Sequence, residues 1–378
     1  MRTIYILVTI QLLCVGALAY HLRRNEIHNR ISREALLSLI TRNELLLSEL
    51  NLNIEQQFGC QQLPHVLARL PKADEQGIVL SVKKIAISSA VIPYNASLIA
   101  HNGGYQLFFR YDIPIAGRSK APFHSYIGYA KLNNQFDLSD PQLHVVDTES
   151  NFSEDPRVIQ HGDRRFLVFN DVIPMEKRPR SIWMGELNQE YKIVHSVSPL
   201  KTNPSRTEKN WSPFFYEGDL HFIYSINPHQ VLKYPSMAPV NLGSESMLSD
   251  CDWPTNMWGT LRGGTPAQLV DGEYLAFFHS AFSDRKGLDW YVMGAYTFEA
   301  TPPFRITRIS PYPILFKGIY DSPHLNTSNP RIRVLYPAGF VTDNERIHVS
   351  CGENDSAVKI LTLDKNALLN SLKRVGGI

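Results

Sequence analysis

One pattern returns five times along this chain. It reads NASLIAHNGGYQLFFRY from Asn95, EDPRVIQHGDRRFLVFND from Glu154, EKNWSPFFYEGDLHFIYS from Glu208, GGTPAQLVDGEYLAFFHS from Gly263 and YPAGFVTDNERIHVSCGEND from Tyr336. Each copy opens on a small or polar head, enters an extended run, turns on Gly, Asn or Asp, and returns as an apolar strand. The residue after that second apolar run is Arg110, Asn170, Ser225, His279 and Gly352 in turn. A third strand follows every hairpin: SYIGYAKL from Ser125, SIWMGEL from Ser181, HQVLKY from His229, WYVMGAYTF from Trp290 and AVKILTLD from Ala357. Self-similarity at intervals of roughly 50 to 60 residues, with three or four strands per unit, predicts an all-β chain folded as a β-propeller. Five units predict five blades, spanning residues 60–378.

In such a fold the first strand of each blade lies nearest the axis, so the five heads converge at one end of the central channel. That places Asn95, Asp155 with Arg157, Lys209 with Asn210, Thr265 and Tyr336 around one pocket, with Arg110, His279 and Asp355 bordering it. Strands need apolar residues for stability; they do not need Asp, Arg, Lys and His gathered on the axis, where charge is costly unless paired or used. The cluster therefore reads as a site, although Asp155 and Arg157 taken alone also suit a structural ion pair in a turn. One acid among several cations suits a sugar bearing an anionic group, since guanidinium and ammonium groups hold phosphate oxygens. A phosphate nucleophile would also remove the need for the second carboxylate that glycoside hydrolysis ordinarily uses.

The first twenty residues carry Arg2 and then an apolar run from Ile4 to about Ala19, ending in the small-x-small form of a signal-peptidase site. The run is short for a membrane span, and His21, Arg23 and Arg24 follow at once. Residues 1–19 are thus expected to be a signal peptide or an uncleaved signal-anchor. Residues 20–59 repeat apolar side chains at helical spacing, from Ile31 to Leu50, and predict an amphipathic helix that serves either as a stem able to self-associate or as a helix folded against the main domain. Both place the main domain in a secretory lumen or outside the cell, attached to a membrane if the leader is retained. Four cysteines occur, at 14, 60, 251 and 351; three in the exported part cannot all pair within one chain, so at least one stays free. No Cys/His spacing suggests a metal. A net charge of +2 without a long basic block argues against nucleic acid as a partner. The 17 Tyr, 18 Phe and 5 Trp suit both sheet faces and sugar-stacking surfaces.

The quoted repeats, with EDPR in the second and G-x-x-D in the last, resemble glycoside hydrolase family 130. That family comprises mannoside phosphorylases and related hydrolases on a five-bladed propeller, with related enzymes in glycosyltransferase family 108. The resemblance runs from about Asn95 to Asp364 through short motifs. It implies glycosyl transfer with inversion on mannose-type sugars, by a transferase or a phosphorylase. Asp155 matches the general acid that protonates the glycosidic oxygen, in some members through a sugar hydroxyl. Arg110, Asp355 and Asn95 match positions at the sugar; Arg157 and Asn210 join them as substrate-binding candidates. Arg180, Lys209 and His279 match the cationic set that holds phosphate. No cofactor is implied beyond inorganic phosphate or a sugar phosphate as co-substrate. The third repeat lacks the family's acidic ending, the fourth reads GGTPAQ rather than carrying two prolines, and the fifth has SCGEND where an aromatic commonly precedes the glycine. Two rivals remain. A hydrolase would need Glu208 or Glu353 to activate water, and a carbohydrate-binding propeller would need no catalyst.

Lesser signals point elsewhere. Asp250-x-Asp252 has the spacing of a nucleotide-sugar metal motif but lacks a surrounding α/β pattern. Trp253 and Trp258 beside it suit sugar stacking or packing. His124, His161, His229 and His324 suit surface or locally bonded positions. Asn-x-Ser/Thr sequons stand at Asn95, Asn151, Asn210, Asn326 and Asn354; Asn151 and Asn326 are the credible acceptors, because the others coincide with the pocket.

Overall fold

The structure, a computed structural model, describes residues 63–87, 91–115, 123–140, 142–172, 180–194, 198–200, 207–240, 253–323 and 332–375. The apolar segment 1–19, the stem 20–59, Cys14, Cys60, Cys251, the Asp250-x-Asp252 motif, His324 and Asn326 lie outside these residues. Among the described residues no helix is long and apolar enough to cross a membrane.

What is described is mostly β, and each predicted hairpin forms. The first repeat is an antiparallel meander of Pro93–His101, Gly104–Pro114, Phe123–Leu132 and His144–Val146. The second runs Glu154–His161, Arg164–Val172, Arg180–Leu187 and Ser198–Leu200. The third, smaller, runs Ser212–Tyr216, Asp219–Ser225, Gln230–Lys233 and Ala238–Pro239. The fourth is built on the pair Glu273–Ser283 and Asp289–Glu299, edged by Arg262–Gly263 and Gln268–Val270 on one side and Ile306–Ile309 on the other. The fifth has Ile332–Thr342, Arg346–Glu353 and Ala357–Asp364. A short parallel pairing of Asp289–Tyr291 with Ile332–Val334 joins the last two into one ten-stranded sheet.

The outer strand of the fifth repeat comes from the other end of the chain. Val79–Ile85 pairs antiparallel with Ala357–Asp364, Val82 opposite Leu361, and covers an edge that would otherwise be open. At the C-terminal side the helix Lys365–Ser371, capped by Asp364 accepting from the Ala367 N–H, leads to Lys373–Arg374, which pairs with the edge strand Ile306–Ile309 of the fourth repeat.

Apolar faces of successive repeats pack on one another. Ile99, Phe108 and Ile127 of the first repeat share a core with Val158, Leu167 and Phe169 of the second. Ile159, Phe166 and Val168 on the second repeat's opposite face pack with Trp211, Phe222 and Leu232 of the third. The largest cluster joins Phe214 and Ile223 of the third repeat to Phe277, Phe298, Phe340 and Leu361 of the fourth and fifth. Leu107 and Phe109 of the first then meet Val341, Val358 and Ile360 of the fifth, so the fifth repeat packs on the first. Trp253 and Trp258 lie 4.9 Å apart in this interior, against Phe278; they are packing residues. Cys351 is free and buried beside Met293. His229 is not a surface residue: it is buried, its Nδ1 donates to the Phe304 carbonyl at 2.8 Å, and burial pulls its pKa down to about 4.

Candidate active site

The heads of the first three repeats present Asn95, Asp155 and Asn210, the last just ahead of its strand; Asn95 contacts Asp155 directly, and Asn210 joins them through Tyr336 and Arg157. All three take the left-handed backbone region, at φ 47°, 53° and 65°. In the first two repeats this coincides with a bulge: register slips between Tyr94 and Ser97, and again between Glu154 and Arg157. A bulge puts two residues opposite one and re-aims side chains. Asn and Asp tolerate the left-handed region better than most residues, which is the local reason these heads are Asn or Asp. In a regular strand Glu154 and Asp155 would point to opposite faces. With the bulge, both carboxylates reach the same guanidinium: Arg110 lies 3.3 Å from Glu154 Oε1 and 3.6 Å from Asp155 Oδ1.

Asp155 is buried and its carboxylate faces donors. Asn95 Nδ2 donates to Oδ1 at 2.8 Å, and Asn170 Nδ2 donates to Oδ2 at 3.4 Å. Burial works against its charge, but Arg110, Lys209, the Asn95 amide and Arg157 outweigh it and hold its pKa down at about 2. Arg110 is itself anchored by Asp112, with Nε at 3.0 Å from Oδ1 and Nη2 at 3.1 Å from Oδ2. Its guanidinium lies over the Tyr94 ring, and the Tyr94 hydroxyl donates to Asp112 at 2.6 Å. Burial pushes the Tyr94 phenol up, Arg110 opposes, and Asp112 and Asp355 add to the rise. Asp355 thus belongs to the same neighbourhood.

Glu154 is the centre of the charge. Arg180 Nη2 approaches its Oε1 at 2.5 Å and Lys209 Nζ its Oε2 at 3.0 Å. Arg180 is fixed behind by the Phe152 carbonyl at 2.9 Å and Asn170 Oδ1 at 3.1 Å.

Arg157 does a different job from the one expected of it. Its side chain is 1% exposed and donates to the Gly264 carbonyl at 2.5 Å, the Gly263 carbonyl at 3.2 Å, the Asp155 carbonyl at 3.3 Å and the Tyr336 hydroxyl at 2.6 Å. With its donors spent inside the protein it clamps the second, fourth and fifth repeats rather than facing a substrate. Tyr336 passes the contact on, donating to Asn210 Oδ1 at 3.0 Å, and its ring lies 4.6 Å from that of His279. His279 does not add the positive charge expected of it here. Burial, then Arg262 and Arg157, pull its pKa down to about 3 despite Asp155, so it is a neutral imidazole. Its buried Nδ1 has no hydrogen-bond partner among the described residues.

Thr265, expected at the same pocket, instead is fully buried with its Oγ1 accepting from the Phe277 N–H at 3.0 Å, and the other heads form a connected set. From Asn95 contacts run through Asp155 and Arg110 to Glu154, Arg180 and Lys209, and through Arg157 to Tyr336, Asn210 and His279. Sequence reasoning left out Glu154, Tyr94, Asp112 and Asn170. The Glu154–Asp155 doublet, the Arg110-x-Asp112 spacing and the place of Asn170, equivalent in its repeat to Arg110 and His279, were available signals; Tyr94 carried none. Of the two carboxylates a hydrolase would need to activate water, Glu353 is fully buried, accepts from the Tyr320 and Ser322 amides at 2.7 and 2.9 Å and pairs with Lys359 at 2.8 Å. It is structural. Glu208 is buried and accepts from Trp211 Nε1 at 3.4 Å and the Tyr224 hydroxyl at 3.3 Å.

No family model matches the chain. Beta-mannosyltransferase 2 of Komagataella phaffii is 31% identical over 121 residues, 30% of this chain and 18% of that protein. Beta-mannosyltransferase 3 of the same organism is 31% identical over 120 residues, 30% of this chain and 19% of that protein. The matched part is thus less than a fifth of those relatives' length. Among solved structures, a β-1,2-mannobiose phosphorylase from Listeria innocua superposes with a TM-score of 0.53 at 14% identity, covering 82% of this chain and 96% of that one. A mannose phosphorylase from Leishmania mexicana, in complex with phosphate ion, gives 0.51 at 12% identity, covering 80% and 94%. A structure from the glycoside hydrolase family 130 of mannoside phosphorylases gives 0.52 at 12% identity, covering 75% and 86%. The fold is the one these proteins share.

Proposed function

We propose that this chain is an enzyme that transfers mannosyl units in making or cleaving β-mannosides, as a mannosyltransferase or a phosphorylase, on a five-bladed β-propeller. The observation that carries the reading is Asp155, set on a bulge at the meeting of the first strands with donors on both carboxylate oxygens and cations beside it. Local similarity to beta-mannosyltransferases and a fold shared with mannoside phosphorylases support the substrate class. The ring of packing from the first repeat round to the fifth, with the N-terminal strand completing the last sheet, supports the propeller.

The proposed reaction inverts at the anomeric carbon. In synthesis the acceptor hydroxyl attacks that carbon, its proton passes to the Asp155 carboxylate, and the bond to a phosphoryl-bearing leaving group breaks. In breakdown the steps reverse: phosphate attacks and protonated Asp155 returns the proton to the glycosidic oxygen. An Asp155 held ionised suits the base role; the acid role requires bound substrate to raise its pKa. In this reading Asn95, Arg110 and Asp355 orient the sugar. Arg180 and Lys209 face the phosphoryl group, and neutral His279 offers it a hydrogen bond. The reading also keeps the main domain in a secretory lumen or outside the cell.

The test mixes purified protein with mannose 1-phosphate and short β-mannosides and follows phosphate release and chain length. Phosphate release with longer products, lost in Asp155→Asn, is the expected result. Turnover that survives the substitution would show that another group moves the proton. A protein that binds mannosides without any turnover would be the carbohydrate-binding propeller instead.

A further inference from the structure

We infer that Glu154 is a positioning residue that sets how tightly this site takes up a phosphoryl group. Its carboxylate pairs with Arg110, Arg180 and Lys209 and competes for that array with an incoming anionic ligand. The inference rests on the reading above that a phosphoryl group enters here; what it adds is the residue that controls the entry.

The geometry is specific. Three cations converge on two oxygens, Arg180 at 2.5 Å and Arg110 at 3.3 Å on Oε1, Lys209 at 3.0 Å on Oε2. Two of the three are held in place from behind: Arg110 by both oxygens of Asp112, and Arg180 by the Phe152 carbonyl and Asn170 Oδ1. Lys209 is different, with a side chain 38% exposed against 7% for Glu154. An ammonium has three donors, so Lys209 can keep Glu154 and still offer donors to a ligand at the open side. Glu154 comes from the first residue of its strand, opposite Asn170, and the adjacent bulge turns Asp155 toward the same guanidinium. Buried cations need a counter-charge, and Glu154 supplies it to these three. A phosphoryl oxygen arriving at Lys209 and Arg180 must therefore share or exchange partners with a carboxylate already there.

Two opposite expectations separate this role from scaffolding. Glu154→Gln keeps the shape and removes the competing charge, so the array should take an anion more tightly. If Glu154 only braced the cations, losing three ion pairs would splay them and weaken anion binding. The experiment titrates inorganic phosphate calorimetrically into full-length protein, wild type against Glu154→Gln, at two ionic strengths. A dissociation constant lower by about tenfold in the variant, with the gap narrowing at high salt, is the expected result. Glu154→Asp, which draws the carboxylate back from Lys209 by one methylene, should move the constant in the same direction by several-fold and serves if the Gln variant does not fold. Phosphate bound no more tightly by both variants, or by neither variant nor wild type, overturns the inference. The titration needs no turnover, so failure of mannose 1-phosphate to react would count against the proposed reaction alone.

Discussion

The side-chain amide of Asn95 donates to Asp155 Oδ1 at 2.8 Å across 60 residues of sequence. The two occupy the same position in successive repeats, and both sit in the left-handed region on a bulge. A structural repeat has thus been used twice, once to present a carboxylate and once to present a donor that, after Arg110 and Lys209, helps keep it ionised.

Removing that donor should change how Asp155 titrates. Asn95→Ala takes away a hydrogen bond to the charged form, so the Asp155 pKa rises from about 2 and the acid limb of kcat/KM for synthesis moves to higher pH. Asp155→Asn should lower kcat by roughly 10²- to 10⁴-fold with the fold intact. Rate profiles between pH 3 and 8, with circular dichroism as the control, decide both.

Acid should destabilise the protein in two stages. His229 and His279 are held near 4 and 3 against an ordinary 6.5, so the unfolded chain binds their protons first, and stability falls as pH drops from about 6.5. Asp155, depressed from 3.8 to about 2, contributes stability that is present above about 3.8 and lost as pH falls through 2. Urea midpoints across pH should show the upper slope reduced in His229→Gln once the variant's own lower stability at pH 8 is subtracted.

Arg157 should not tolerate lysine. An ammonium cannot reproduce the fork that spans the Gly263 and Gly264 carbonyls and the Tyr336 hydroxyl. Arg157→Lys is expected to cost on the order of 3 kcal/mol, because buried partners are left unpaired. A thermal melt with unchanged midpoint would contradict the clamp.

Gly352 admits no side chain. A Cβ there would lie 2.1 Å from Asn95 Oδ1 and 2.5 Å from the Asn95 backbone nitrogen. Gly352→Ala must push Asn95 away from Asp155, so its pH profile should shift toward that of Asn95→Ala. A profile like wild type would mean the head can move without cost.

The N-terminal strand should behave as part of the core. Ile85 is 5% exposed and packs with Val358 and Ile360, so Ile85→Ala should cost about 2–5 kcal/mol, read as a lower urea midpoint at unchanged slope.

The hairpins were legible in the sequence because their information is local: an apolar run, a turn such as His161-Gly162-Asp163, and a second run specify antiparallel pairing between neighbours. Repetition then told how many there are. The convergence of polar heads was legible too, since repeated units put equivalent residues in equivalent places. The strand Val79–Ile85 was not, because VLSVKKI is half polar and its partner lies at the far end of the chain. The division of labour among charges was equally hidden. Sequence shows Glu154, Asp155 and Arg157 as near neighbours. Which of them faces the cluster, which pairs with the cations and which is buried as a clamp was decided by one positive φ at Asp155 and by the carbonyls of Gly263 and Gly264, delivered from a segment over a hundred residues away. Side-chain type travels with the sequence; direction, burial and the charge state of His279 come from neighbours that only the folded chain brings together.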